Sequence, residues 1–140
     1  MKKGSKSKII IGLSILFSFL SFSFYLVKKP KYNGIYLITE NGKEFSLITQ
    51  KQIKIVVDTV PIIEIFDFEK VRIAYINDSN DPQLDIQLNQ AGKLKFAKLT
   101  RENIGKRLAI ILDDILLSAP IVETEIPNGK IGISGLDKKL

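Results

Sequence analysis

Nineteen consecutive residues near the start of the chain, Ile9 to Val27, carry no charge. As a helix they would be about 28 Å long, close to the roughly 30 Å hydrocarbon core of a bilayer. Thirteen of them are Ile, Leu, Phe or Val. At roughly −0.4 kcal/mol apiece these favour insertion by about 5 kcal/mol, a gain trimmed by the serines, the glycine and the tyrosine of the run. Its apolar character runs all round, so it lacks the polar stripe a core helix would turn to water. The expectation is a transmembrane anchor over residues 9–27. A cleaved signal peptide is the alternative. Against it, the run exceeds the usual apolar region of roughly 7–15 residues, and it continues past Ser21-Phe22-Ser23, the small-x-small candidate near its end.

Lys2, Lys3, Lys6 and Lys8 precede the span, and Lys28, Lys29 and Lys31 follow it. That bias places the N-terminus in the cytoplasm and the rest of the chain outside it. The expected organisation is a basic cytoplasmic tail (1–8), the anchor or signal peptide (9–27), a linker (28–33) and one extracytoplasmic domain (34–140). No acidic or basic residue lies within the span, so nothing in it suggests a proton or ion path.

The chain has 140 residues and no Cys, His or Trp. Thiol catalysis, imidazole acid–base chemistry, disulfides and Cys/His zinc sites are excluded together. The net charge of +6 is carried largely by the four N-terminal lysines, since from Lys28 onward 17 basic residues face 15 acidic ones. No basic patch interleaved with aromatics is present, so nucleic acid is not an expected partner.

Beyond the linker, two β-rich runs flank Asn41-Gly42, a dipeptide that favours a two-residue hairpin turn. Gln52 to Val57 reads as a strand. The segment from Pro61 fits a helical turn or a buried extended stretch equally well. Val71 to Ile76 is a strand, Asn77 to Pro82 a polar loop, and Leu84 to Leu88 a half-buried strand by its alternation. Asn89 can cap a helix running to about Ile104 and stopped by Gly105. On that helix Phe96, Ala97, Leu99, Thr100, Asn103 and Ile104 share one face, with Asn103 expected as a satisfied core amide. Lys95, Lys98, Arg101 and Glu102 share the other, expected to be solvated. Strands follow at Arg107–Leu112, Ile115–Leu117 and Lys130–Ser134, with a turn at Pro127-Asn128-Gly129. The fold class is α+β: one helix packed on a mostly antiparallel sheet, preceded by a single N-terminal transmembrane helix.

Asp113 and Asp114 stand together after an apolar run, which raises the question of a catalytic or metal-binding pair. Neighbours on a strand point to opposite sides, so the two cannot converge on one point from extended backbone. They read as the corner between two strands, where Asp tolerates the left-handed region better than most residues. On that reading Asp114→Gly leaves function intact and stabilises by up to about 1 kcal/mol. Glu123 and Glu125 are the other acids that a carboxylate hydrolase could use, but no base, nucleophile or phosphate loop accompanies them.

Between Leu84 and Gly135 four elements occur in order: Ala91-Gly92 at the helix start, Thr-Arg-x-Asn-x-Gly-Lys-Arg from Thr100 to Arg107, Leu-Ser-Ala-Pro from Leu117 to Pro120, and Ile-Ser-Gly from Ile133 to Gly135. With these four, the segment closely resembles the head of the first large extracytoplasmic domain of SecD, an accessory subunit of the Sec translocon. From Gly34 to Ile76 the resemblance is looser. The family usually has Asp-Gly where this chain has Asp113-Asp114. A full SecD continues into further transmembrane helices associated with proton-driven secretion, whereas this chain ends in LDKKL. The resemblance implies that the head carries over and the motor does not.

The expectation is therefore a membrane-anchored SecD-head-like binding module rather than an enzyme, without metal or cofactor. It would contact lipid through residues 9–27 and, through the head, secretory polypeptides or Sec translocon subunits. The alternative is an accessory subunit of another envelope complex with the same fold. Binding an unfolded chain would use an apolar groove beside the helix or an exposed sheet edge. The expected location is the bacterial cytoplasmic membrane, with the domain on its outer side.

Overall fold

The computed structural model describes residues 31–76 and 81–136. The expected span Ile9–Val27 lies outside the described residues. Among the described residues no helix is long and apolar enough to cross a membrane. The elements are β1 (Gly34–Leu47), β2 (Gln50–Val57), β3 (Ile63–Glu64), a single 3₁₀ turn (Ile65–Asp67), β4 (Phe68–Ile76), β5 (Asp81–Leu88), α1 (Gln90–Glu102), β6 (Leu108–Leu112), β7 (Ile115–Ser118) and β8 (Lys130–Ile133). The α+β class is as expected, but the strands divide between two sheets. One holds β2, β1, β6 and β7 with β3 attached; the other has the order β4-β5-β8.

The first sheet closes on itself. The first half of β1 pairs antiparallel with β6, β6 with β7, and Leu47 at the far end of β1 pairs parallel with Leu116 of β7. Bending one strand this far requires a break in its ladder, and the break sits at Thr39–Gly42. Ile38 and Lys43 both face Val57 of β2, so the four residues between them bulge out. The Asn41-Gly42 hairpin expected from sequence is thus not formed. Neither residue has positive φ, and β1 turns into β2 at Ile48-Thr49 instead. Gly42 is needed for a different reason: a Cβ there would collide with the Val57 carbonyl oxygen.

The alternating side chains of β1 and β6 feed two cores. Tyr36, Phe45, Val57, Ala109, Ile111 and Leu116 fill the inside of the closed sheet. Ile35, Leu108 and Ile110 point the other way, into a second core with Ile63 of β3, Ile86 and Leu88 of β5, Phe96 and Leu99 of α1, and Ile133 of β8. This explains why Leu108 to Leu112 is apolar without interruption: β6 is covered on both faces.

α1 begins where expected. The Asn89 side chain accepts the Gly92 N–H at 2.9 Å, and its amide nitrogen donates to the Phe66 carbonyl at 2.8 Å. The ambiguous Pro61 segment resolves into β3 and the 3₁₀ turn, which the helix grips. The buried Asp67 carboxylate accepts the Glu64 N–H at 3.0 Å and the Lys95 ammonium at 2.9 Å. Lys95 is therefore not the purely solvated side chain its periodicity suggested: it stays partly exposed, but its ammonium is held by Asp67. Lys98, Arg101 and Glu102 are exposed.

The hydrogen bond to Asp67 raises the Lys95 pKa above its ordinary value of 10.5. A raised cation supplies stability that is complete below the unfolded value and is lost as pH climbs through the folded one. Alkaline unfolding should accordingly start at lower pH in Lys95→Met than in the parent, with the two converging above the raised value; circular dichroism against pH checks this.

The Asp113-Asp114 corner is a turn with φ of 51° and 65°, as the sequence reading required. It does more than reverse the chain. The Asp114 carboxylate accepts the Tyr32 N–H at 2.8 Å, the Asp114 N–H donates to the Tyr32 carbonyl, and the Asp113 N–H donates to the Asn33 side chain. Tyr32 itself packs on Tyr36 and Phe45, with ring centroids 5.6 and 5.1 Å apart. Tyr32 and Asn33, read as the end of a polar linker, are docked onto the closed sheet.

The expected gain from glycine moves accordingly. The Asp113 carboxylate contributes only an exposed ion pair to Lys31, so Asp113→Gly should stabilise by up to about 1 kcal/mol. In Asp114→Gly the relief of strain is offset by loss of the bond to Tyr32, and no net gain is expected. Thermal melts of the two variants test the difference.

Candidate functional site

The helix-to-strand motif builds one wall of a cleft. After Asn103 caps α1, Gly105 takes a φ of 83° and its N–H donates to the Val122 carbonyl at 2.8 Å. The Val122 N–H returns to the Lys106 carbonyl at 2.8 Å, and the Leu108 N–H donates to the Pro120 carbonyl at 3.1 Å. The Arg107 guanidinium donates to the Ala119 carbonyl at 2.7 Å. At the other end, the fully buried Thr100 hydroxyl accepts the Ile126 N–H at 3.0 Å and donates back into its own helix. Asn103, the expected satisfied amide, donates to the Leu99 carbonyl at 2.8 Å.

These residues clasp the irregular segment Ala119–Ile126 against α1 and β6. A stretch without regular structure needs such partners, because its backbone groups have no ladder to satisfy them. Arg101 adds a looser contact to Glu125 at 3.7 Å.

Between the clasped segment, α1, β6 and β8 lies a cleft of about 300 Å³. Its floor is the second core: Ile35, Phe96, Leu108 and Ile110, with Val122 and Ile131 at the sides. Thr100, Glu123, Thr124 and Lys130 supply the polar atoms around it. A space of this size is at the small end of ligand sites and takes a bulky apolar side chain or two.

The acids weighed from sequence do not converge. Asp113 and Asp114 sit at the exposed corner beside Tyr32, Glu125 pairs with Arg101, and Glu123 lines the cleft. Among the described residues no group of three His, Cys, Asp or Glu could hold a metal ion. Sequence reasoning placed Gly105 and Pro120 as architecture but missed the joint purpose of the motif. The signal was a threonine on an apolar helix face, whose hydroxyl had to be spent on a partner.

Comparison with known proteins agrees with this architecture. The family model described as SecDF, P1 head subdomain, matches residues 38–139. The protein translocase subunit SecD of Sebaldella termitidis is 42% identical over 73 residues, which cover 51% of this chain and 18% of that protein. The chain thus spans less than a fifth of that relative. A SecDF structure described as a membrane component that enhances protein export superposes with a TM-score of 0.64 at 20% identity, covering 97% of this chain and 65% of the other. SecDF in its super-membrane-facing crystal form gives 0.62 at 24% identity, covering 74% and 16%. At these identities the two structures speak to the fold alone. The match over 38–139, with the clasp and most of both cores inside it, makes this chain a member of the SecDF P1 head subdomain family.

Proposed function

We propose that the domain binds apolar segments of polypeptides in transit across the bacterial cytoplasmic membrane, holding them in the cleft between α1 and Ala119–Ile126. The domain stands on the outer side of that membrane, tethered by residues 9–27, and works at or near the Sec translocon. The observation that carries this reading is the cleft itself: an opening floored by core side chains, in a domain whose family relatives are translocase subunits. An unfolded chain exposes side chains of the kind such a cleft accepts, and binding one or two at a time gives weak, reversible contact suited to a moving substrate. The alternative of an accessory subunit in another envelope complex would place a constant partner on this surface.

Photo-crosslinkers at Ile121 and Thr124, beside the cleft, and at Lys51, far from it in the fold, separate these outcomes. A stalled secretory chain or a Sec subunit trapped at the first two positions and not at the third is the expected result. One non-Sec membrane protein captured at stoichiometric yield would instead favour the accessory subunit. Protease protection of the domain in spheroplasts, meaning a cytoplasmic location, would sink the proposal outright.

A further inference from the structure

β4 is the outer strand of the β4-β5-β8 sheet, and among the described residues no strand lies on its open side. Its register with β5 sets Val71 opposite Ile86 and Ile73 opposite Leu84. Val71, Ile73 and Tyr75 thus share the face on which Ile86 enters the core, yet α1 does not reach them. They are 43%, 58% and 64% exposed. Edge strands are normally protected by inward charges, prolines or bulges that stop another chain from adding on. Here the three inward positions of Val71–Tyr75 are all apolar, and the only register shift in the strand is at its start, between Phe68 and Lys70.

The strand is also complementary to itself in one register. An antiparallel pair centred on Arg72 sets that guanidinium against its own copy. Centring on Val71 sets Lys70 against Arg72 twice, and centring on Ala74 leaves Val71 opposite a position beyond the end of β4. Like charges directly opposite are destabilising, whereas aromatic and β-branched pairs are favourable. Centring on Ile73 pairs Ile73 with its copy and Val71 with Tyr75 on both sides, joining six apolar side chains into one strip. On the opposite face Arg72 then meets Ala74. Arg72 is further drawn toward β5 by Asp85, whose carboxylate takes its Nε and an Nη at 3.2 Å.

We propose that two copies of this chain associate edge to edge through β4, antiparallel about Ile73, to form a continuous six-stranded sheet. The interface is small, so the association is modest and reversible. It is independent of the cleft, which opens on another part of the domain.

Cysteine trapping in the full chain tests it cleanly, because the native sequence has no cysteine. Under mild oxidation in expressing cells, Ile73→Cys should give a covalent dimer, since directly opposed residues lie within disulfide range. Val71→Cys alone and Tyr75→Cys alone should not, while the two co-expressed should cross-link to each other. Ile73→Lys, checked for native circular dichroism, should run as a monomer where the parent shows dimer. Equal cross-linking of all three single variants would overturn the proposal, as would absence of an Ile73→Cys dimer when the new thiol still reacts with maleimide. So would predominant trapping of the Ile73→Cys chain to a different protein, which would mark the edge as a site for an extended foreign strand.

Discussion

Gly92→Ala should destabilise the domain by about 2 kcal/mol, even though alanine is the better helix former by about 1 kcal/mol. A Cβ at this position would lie 2.8 Å from the Asp67 carbonyl oxygen and 2.9 Å from the Asp67 Cβ. Neither atom is the far end of a flexible side chain, so the 3₁₀ turn must retreat from the helix as a whole. That movement pulls on three contacts at once: the Asn89 N–H to Asp67, the Asn89 side chain to Phe66, and the Lys95–Asp67 ion pair. The melting temperature should fall by roughly 10 °C for a domain of this size. Gly105→Ala is the instructive comparison. That residue has positive φ but no atom within 4 Å of the position a Cβ would take, so only the backbone penalty of about 1 kcal/mol applies. If Gly92→Ala proves as stable as the parent, α1 does not rest on the turn as described.

Thr100→Val should cost about 2 kcal/mol, because it removes the acceptor of the Ile126 N–H from a fully buried place while keeping the shape of the side chain. The loss should be uneven. Amide exchange at Ile126 should speed up far more than at Ile111 or Ala109, which lie on β6 within the ladders of the closed sheet. Thr100→Ser keeps the hydroxyl and should protect Ile126 nearly as well as threonine does. Uniform acceleration throughout the domain in Thr100→Val would mean the clasp is no local device.

Much of this was legible in the chain. Asn89 announced the start of α1, Gly105 its end, and the pair Asp113-Asp114 a corner, because each rests on local backbone chemistry that acts within a few residues. The cleft wall was less legible. Its partners are far apart in sequence, with Thr100 reaching Ile126 and Arg107 reaching Ala119. No local pattern says which carbonyl a guanidinium will find. Asn41-Gly42 misled for the opposite reason. Its local preference for a hairpin turn is real, but the long β1 gains more by continuing past it. Beyond the bulge Phe45 joins Tyr36 and Leu116 inside the closed sheet, and that burial outweighs a favourable turn. The single sheet expected from strand order became two for a related cause: β6 and the first residues of β1 bury both faces, which periodicity alone does not distinguish from a buried helix segment.

The central claim is that the cleft beside α1 takes apolar side chains of an unfolded polypeptide. Amide chemical-shift mapping of the chain, titrated with a reduced, unfolded secretory precursor peptide, tests it most directly. The account predicts shifts concentrated at Val122, Thr124 and Ile131 around the cleft, abolished when Ile121 and Val122 are both replaced by aspartate in a variant that remains folded. Shifts confined to the polar outer face of the β4-β5-β8 sheet, around Arg72 and Asp85, with the cleft silent at saturating peptide, would contradict it.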